Sequence, residues 1–173
     1  MFKSRLAIVM LCTGFAVPAA AACPNFDSDG SDAPSPPAPR YEVHDDGTVT
    51  DAAAGLMWKR CLQGKSGPDC ATGAAAAFRW VDALNEARGD TFAGHDDWRL
   101  PKVEELCSIV ADEAGGPAVD ASAFPGAESA EAWTASANLD FATAAWAVDF
   151  ASGEAVVGVR DDSKQVRLVR DAP

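Results

Sequence analysis

The chain has 173 residues, with 14 lysines and arginines against 26 aspartates and glutamates, for a formal charge of −12. That field opposes nucleic acid, anionic membranes and sulfated polysaccharides, and leaves neutral sugars, peptides and cations as candidate ligands. The length suits one domain with a sizeable core.

Lys3 and Arg5, the apolar run from Leu6 to Val17 and then Ala20-Ala21-Ala22 read as a signal peptide over residues 1–22, with cleavage after Ala22. The apolar run is shorter than the ~20 residues a membrane span needs, and Thr13, Gly14 and Pro18 interrupt it, so no transmembrane segment is expected in the mature chain. Cleavage removes 22 of 173 residues and leaves 151; loss of Lys3 and Arg5 with no acid takes the charge from −12 to −14. The product is expected to be exported: periplasmic, secreted or surface-associated. Lipidation of Cys23 is the less favoured alternative, because Ala20 stands where a lipobox usually has leucine.

Residues 23–40 read as a Pro/Asp-rich linker, with Asp27, Asp29, Asp32 and four prolines from Pro34 to Pro39. Within it Asn25, Asp27, Asp29 and Gly30 have the opening spacing of a calcium loop, but Pro36 occupies the twelfth position, where a bidentate glutamate belongs. A solvated tether is the preferred reading, calcium at these residues the weaker one. Four cysteines survive cleavage, an even count that suggests two disulfides in an exported chain. The polar, turn-rich stretch 62–69 closes a short loop if Cys61 bonds Cys70, and Cys23 to Cys107 follows by elimination. Zinc is not expected: no C-x-x-C occurs, and His44 and His95 are the only histidines.

The globular part spans 41–171. Asp46-Gly47 predicts a hairpin turn between short strands at Tyr41-Glu42-Val43 and Thr48-Val49-Thr50, and Gly55 leads into a strand at Leu56-Met57-Trp58. Ala77, Trp80, Val81, Leu84 and Ala87 predict an amphipathic helix from about Gly73 to Arg88, with Gly89 as its stop. Pro101 followed by Val103, Leu106, Cys107 and Val110 predicts a second helix over 102–111. Residues 118–144 read mostly as loop, interrupted by Phe124-Pro125 and Trp133-Thr134-Ala135-Ser136. Trp146, Val148 and Phe150 alternate in a strand, Ser152-Gly153 turns, residues 155–159 return, and Gln165 to Arg170 closes the domain. Helices in the first half and an antiparallel meander in the second make an α+β domain.

Gly94-His95-Asp96-Asp97-Trp98-Arg99-Leu100-Pro101, followed by Val103-Glu104-Glu105-Leu106, is the densest motif. Gly47-Thr48-Val49-Thr50-Asp51 and Gly55-Leu56-Met57-Trp58 precede it; Ala145-Trp146, Phe150 and Val166-Arg167-Leu168-Val169-Arg170 follow. This ordered set resembles the Lcl C-terminal domain, the C-terminal module of a bacterial collagen-like adhesin. The resemblance implies a C-type-lectin-like fold, with two helices and a mainly antiparallel sheet, related to that of formylglycine-generating enzymes. Trp58, Trp98, Arg99, Leu100, Pro101, Trp146, Arg167 and Arg170 then serve as structural motif residues.

Trp58, Trp80, Trp98 and Trp146 lie in periodic elements and are expected in the core. Trp133 lies in the long loop, where it either anchors the loop or serves as the aromatic candidate for ligand contact, with Asn138 and Asp140 as further ligand candidates. Asn138, Asp140 and Asp149 form a second weak calcium cluster, since lectin-like folds can bind that ion through their long loops. No cofactor is otherwise expected. Arg99, between Trp98 and Leu100, should be partly buried and paired with Glu104 or Glu105.

No G-x-S-x-G, P-loop or H-E-x-x-H is present, and no cysteine follows Cys107 to supply the reactive pair of formylglycine-generating enzymes, so an enzyme is not expected. The leading expectation is an exported binding or adhesion-type module that recognises a carbohydrate or an envelope or extracellular protein. The alternative is a structural or assembly component of the cell envelope. The related adhesin is associated with sulfated glycans. This chain lacks a collagen tract and has the opposing charge, so that specificity is not expected to transfer.

Overall fold

The computed structural model describes residues 21–23, 39–111 and 116–173. A six-stranded sheet runs in the order β1 (Ala21–Ala22), β10 (Glu154–Val159), β9 (Ala144–Asp149), β8 (Glu131–Ala137), β11 (Lys164–Gln165), β7 (Ala77–Phe78). A four-stranded sheet has the order β12 (Val169–Asp171), β4 (Leu56–Lys59), β3 (Thr48–Asp51), β2 (Tyr41–Val43), and β5 (Lys65–Ser66) pairs β6 (Thr72–Gly73) in a small ribbon. The pairings are antiparallel except β11 with β8. With helices α1 (Trp80–Gly89) and α2 (Val103–Ser108), the fold is α+β.

The first hairpin forms as the sequence suggests. Gly47 takes φ +86°, and Asp46 Oδ1 accepts the Thr48 backbone N–H at 2.9 Å and its hydroxyl at 2.7 Å. The left-handed backbone favours glycine there, and a Cβ at position 47 would also lie 2.9 Å from Phe92 Cζ.

Helix α1 begins at Trp80, seven residues later than its alanine-rich approach suggests. Thr72–Gly73 and Ala77–Phe78 are instead drawn into the ribbon and the sheet edge, where Phe78 pairs with Lys164. The helix buries Ala83 and Ala87 and half-buries Trp80 and Leu84, a stripe at i, i+3, i+4 and i+7, while Val81 faces outward. Helix α2 stops at Ser108 because Val110 leaves it to bridge Val119.

Residues 131–137 are not loop. They form β8, between β9 and β11, and both faces of the strand are covered. Ala132, paired with Val148, joins a core of Val49, Trp58, Leu106, Ile109, Phe124 and Phe150; Trp133, paired with Ala147, joins Met57, Trp98, Leu100, Val166 and Leu168 on the other face. The expected closing strand divides: Lys164–Gln165 completes the large sheet, then Val166, Arg167 and Leu168 cross through the interior to β12 in the small one.

Both disulfides follow the expected pairing, Cys61 with Cys70 and Cys23 with Cys107. The second ties Cys23 to α2, beside the pairing of Ala21–Ala22 with β10. It also occupies the Cys23 sulfur that lipidation would require. Among the described residues no helix is long and apolar enough to cross a membrane.

Candidate functional site

The densest motif acts as a joint between the two sheets. Arg99 exchanges backbone hydrogen bonds with Val169, its N–H donating at 2.9 Å and its carbonyl accepting at 3.0 Å. Its guanidinium donates from Nη1 to Glu105 Oε2 at 2.7 Å and from Nη2 to Glu105 Oε1 at 2.9 Å, and also reaches Asp171 at 2.9 Å. These bonds hold Arg99 more firmly protonated than usual. Burial pushes the Glu105 carboxyl up, but the Arg99 bond and the Lys102 N–H outweigh it and hold it below the usual range. The Pro101 carbonyl accepts the Ala135 N–H at 2.7 Å where β8 breaks register. Arg170 grips Asp97 from Nε at 2.7 Å and Nη2 at 3.1 Å. A groove of about 390 Å³ passes Arg99, but its guanidinium is already occupied by two carboxylates.

Trp98 and Leu100 are buried, as are Pro101 and Trp58, whereas Trp146 is half-buried. Arg167 is 1 % exposed. It donates from Nη1 to the Arg60 carbonyl at 2.7 Å, and its Cζ lies 4.7 Å from the centre of the Phe124 ring. Burial pulls its pKa down to about 10.

Trp133 cannot serve as a ligand platform: it is 0 % exposed, with its indole N–H bonded to the Phe78 carbonyl at 2.8 Å and Lys164 Nζ over its ring. The expectation fails because a strand, not a loop, carries it. Asn138 is buried, and its Oδ1 accepts the N–H groups of Asp140 and Phe141, both at 2.9 Å, shaping the β8–β9 turn. Asp149 lies at the opposite end of β9, paired with Glu131 and accepting the Ala151 N–H at 2.8 Å. The ladder separates it from Asn138 and Asp140, so these three do not converge. Among the described residues no group of three or more His, Cys, Asp or Glu is placed to hold a metal ion. Asn25, Asp27 and Asp29 lie outside the described residues.

Two clefts meet at a residue that sequence reasoning missed, Phe92. One, about 510 Å³, lies between the β2–β3 turn (His44 to Gly47), the end of β4 and the loop closed by Cys61–Cys70, which contributes Lys65 to Pro68. The other, about 610 Å³, runs along α1 past Phe78, Asp82 and Glu86. Both volumes fall within the range of small-ligand sites.

The motif fixes Phe92 in place. The Trp98 indole N–H donates to the Phe92 carbonyl at 2.9 Å, and the Phe92 N–H donates to Asp90 Oδ1 at 2.8 Å. Asp90 Oδ2 accepts Lys59 at 3.0 Å and Gln63 at 2.8 Å, while Lys59 Nζ sits 4.5 Å from the Phe92 ring centre. Burial raises the Asp90 carboxyl, but these hydrogen bonds outweigh it and the pKa is lowered.

The cations around the first cleft are consumed internally. Arg60 donates to the carbonyls of Ala123 and Ser122, and Lys65 to the Gly126 carbonyl and Glu128. Among the described residues, the polar groups at its rim include Asp45, the Oδ2 of Asp46, Ser66 and the His44 ring, whose Nε2 lies 2.9 Å from Thr50 Oγ1. Such a lining suits hydroxyl and amide ligands better than anions. The only sequence signal for Phe92 was an aromatic beside Gly94 in a turn; its partners come from residues 44 to 98.

The family model described as Lcl C-terminal domain matches residues 47–170, a span that includes every motif residue above. No curated protein matches the chain.

Proposed function

Because the chain belongs to the Lcl C-terminal domain family, we propose that it is an exported binding module of adhesion type that recognises a neutral carbohydrate or a protein segment and performs no catalysis. The observation that carries this reading is the junction at Phe92 of two clefts whose walls are pinned by a disulfide and by the Trp98 indole. A ring half-exposed between two grooves offers apolar contact to a sugar ring or a side chain, and Asp45, Ser66 and His44 supply directional hydrogen bonds. Preorganisation favours affinity, since less loop ordering is needed on binding. The two disulfides fit an oxidising compartment outside the cytoplasm.

The fold of this family is proposed as lectin-like, and the domain proper as residues 41–171 behind a cleaved leader and a linker. Binding needs no calcium in this reading. The test is a panel of neutral oligosaccharides and purified envelope proteins, assayed with the exported chain and with Phe92→Ala. The expected result is a partner whose affinity falls at least about tenfold, ~1.4 kcal/mol, in the variant. A partner bound equally well by Phe92→Ala contradicts the proposed site.

A further inference from the structure

Strand β10, with six residues, lies next to the edge of the large sheet, and the outermost strand β1 covers only two of its positions. Among the described residues only Ala21 and Ala22 pair with its outer side, opposite Ala155 and Glu154. The expected cleavage after Ala22 takes both away and leaves the outer edge from Glu154 to Val159 without a strand partner among the described residues. A free edge offers a row of backbone donors and acceptors that another strand can satisfy. Proteins usually blunt such an edge with lysine, proline or an inward charge, yet β10 reads Glu-Ala-Val-Val-Gly-Val. Val157 and Val159 are 40 % and 53 % exposed, and Leu139 and Phe141, on the neighbouring β8–β9 turn, are 96 % and 54 % exposed.

We propose that the outer edge of β10 is a self-association surface, on which a second copy of this chain adds its own β10 antiparallel about a two-fold axis through Val157. The sequence of the strand selects this occupant and this register. With Val157 facing its symmetry mate, Ala155 lies opposite Val159, Val156 opposite Gly158, and Glu154 opposite Arg160. The pairing therefore matches apolar residues with apolar residues and places a carboxylate against a guanidinium at each end. Arg160 is held ready for that contact: its Nε donates to the Ala144 carbonyl at 3.0 Å and its Cζ lies 4.2 Å from the Trp80 ring centre. Among the described residues its terminal nitrogens make no hydrogen bond. Two-fold pairing is isologous and closes after two copies, so it caps the edge rather than propagating a fibre. The other outer strands of the two sheets offer less, since β7 has two residues and β2 and β12 have three each.

This inference concerns assembly and rests on the expected removal of residues 1–22, not on the ligand cleft. The test is sedimentation of the chain purified from the periplasm, with its N-terminus read by intact mass. A dimer is expected, and Val157→Lys, which sets two like charges face to face at the axis, should return it to a folded monomer that still unfolds cooperatively and no longer shows a melting temperature that rises with protein concentration. Val157→Cys should give a disulfide-linked dimer on mild oxidation, because residues directly opposite in an antiparallel pair lie within disulfide reach; Val159→Cys, facing Ala155, should not. A monomer across the micromolar range overturns the proposal. So does a dimer indifferent to Val157→Lys, or one that cross-links in the Val159→Cys variant and not in Val157→Cys.

Discussion

Arg99 and Glu105 meet in a two-pronged contact, Nη1 to Oε2 at 2.7 Å and Nη2 to Oε1 at 2.9 Å, and the same Glu105 Oε2 accepts the N–H of Lys102 at the start of α2. One carboxylate thus fixes an arginine and caps a helix. Lysine cannot reproduce the planar fork, so Arg99→Lys should cost about 1–2 kcal/mol in urea unfolding. Glu105 carries a depressed folded pKa. Its stabilisation is therefore complete above the unfolded carboxyl's ordinary value and is lost as pH falls through the folded value. Glu105→Gln should flatten that part of the acid limb; an acid limb unchanged in the variant would remove Glu105 from the account.

Trp133 should behave as core. Trp133→Ala removes a fully buried ring and its bond to Phe78, and should cost ~3–5 kcal/mol, read as a fall in the denaturation midpoint. Gly158 is bound to the same ring by close approach, because a Cβ there would lie 2.7 Å from Trp133 Cη2. Gly158→Ala should therefore destabilise as well, although its φ is ordinary. Unchanged stability in both variants would put Trp133 back among the ligand candidates.

Local signals made much of the fold legible. Asp46-Gly47 marks its hairpin through side-chain and φ requirements that operate within four residues. The polar stretch between Cys61 and Cys70 likewise marks a loop that a disulfide closes. What stayed hidden depends on distant partners. Strand β8 is built largely of alanine, serine and threonine around Trp133, and its β conformation is selected by β9 and β11 rather than by propensity. Asn138 resembles a ligand in sequence because oxygen-bearing residues suit both turns and cations; here its oxygen is used by its own backbone. The clefts were invisible for a related reason. Phe92 becomes a junction only when the β2–β3 turn, the end of β4 and α1 converge on it.

Tyr41 is the only tyrosine in the chain, so its phenolate absorbance reports one group. Burial raises its pKa to about 12 despite the opposing charge of Arg40. Stability from the neutral phenol is complete below the unfolded value of about 10 and is lost as pH rises through the folded value. Arg167 acts in the opposite sense: with its pKa lowered to about 10, the cost of burying its charge is relieved as pH rises above that value. The absorbance at 295 nm should titrate near 12 in the native protein and near 10 in urea. Coincident native and unfolded curves would place the ring in solvent.

The Cys61–Cys70 link pins one wall of the cleft, and closing so short a loop is worth about 2–3 kcal/mol in the chain-entropy account. The double variant Cys61→Ala, Cys70→Ala should lower stability by that order. It should also speed amide hydrogen exchange in residues 61–70 while leaving β8 and β9 protected. Equal loss of protection throughout would mean that the link supports the whole fold and not the cleft wall.

The location of the binding site is the central claim, and backbone amide shift mapping tests it most directly. The isotopically labelled, exported chain is titrated with the strongest binder from a panel of neutral oligosaccharides and purified envelope proteins. Shifts are predicted to cluster in residues 44–47, 65–67 and 90–92, with loss of the effect in Phe92→Ala. Shifts confined to the groove beside Arg99 or to the β8–β9 turn, or no binder at millimolar concentration, would contradict the account.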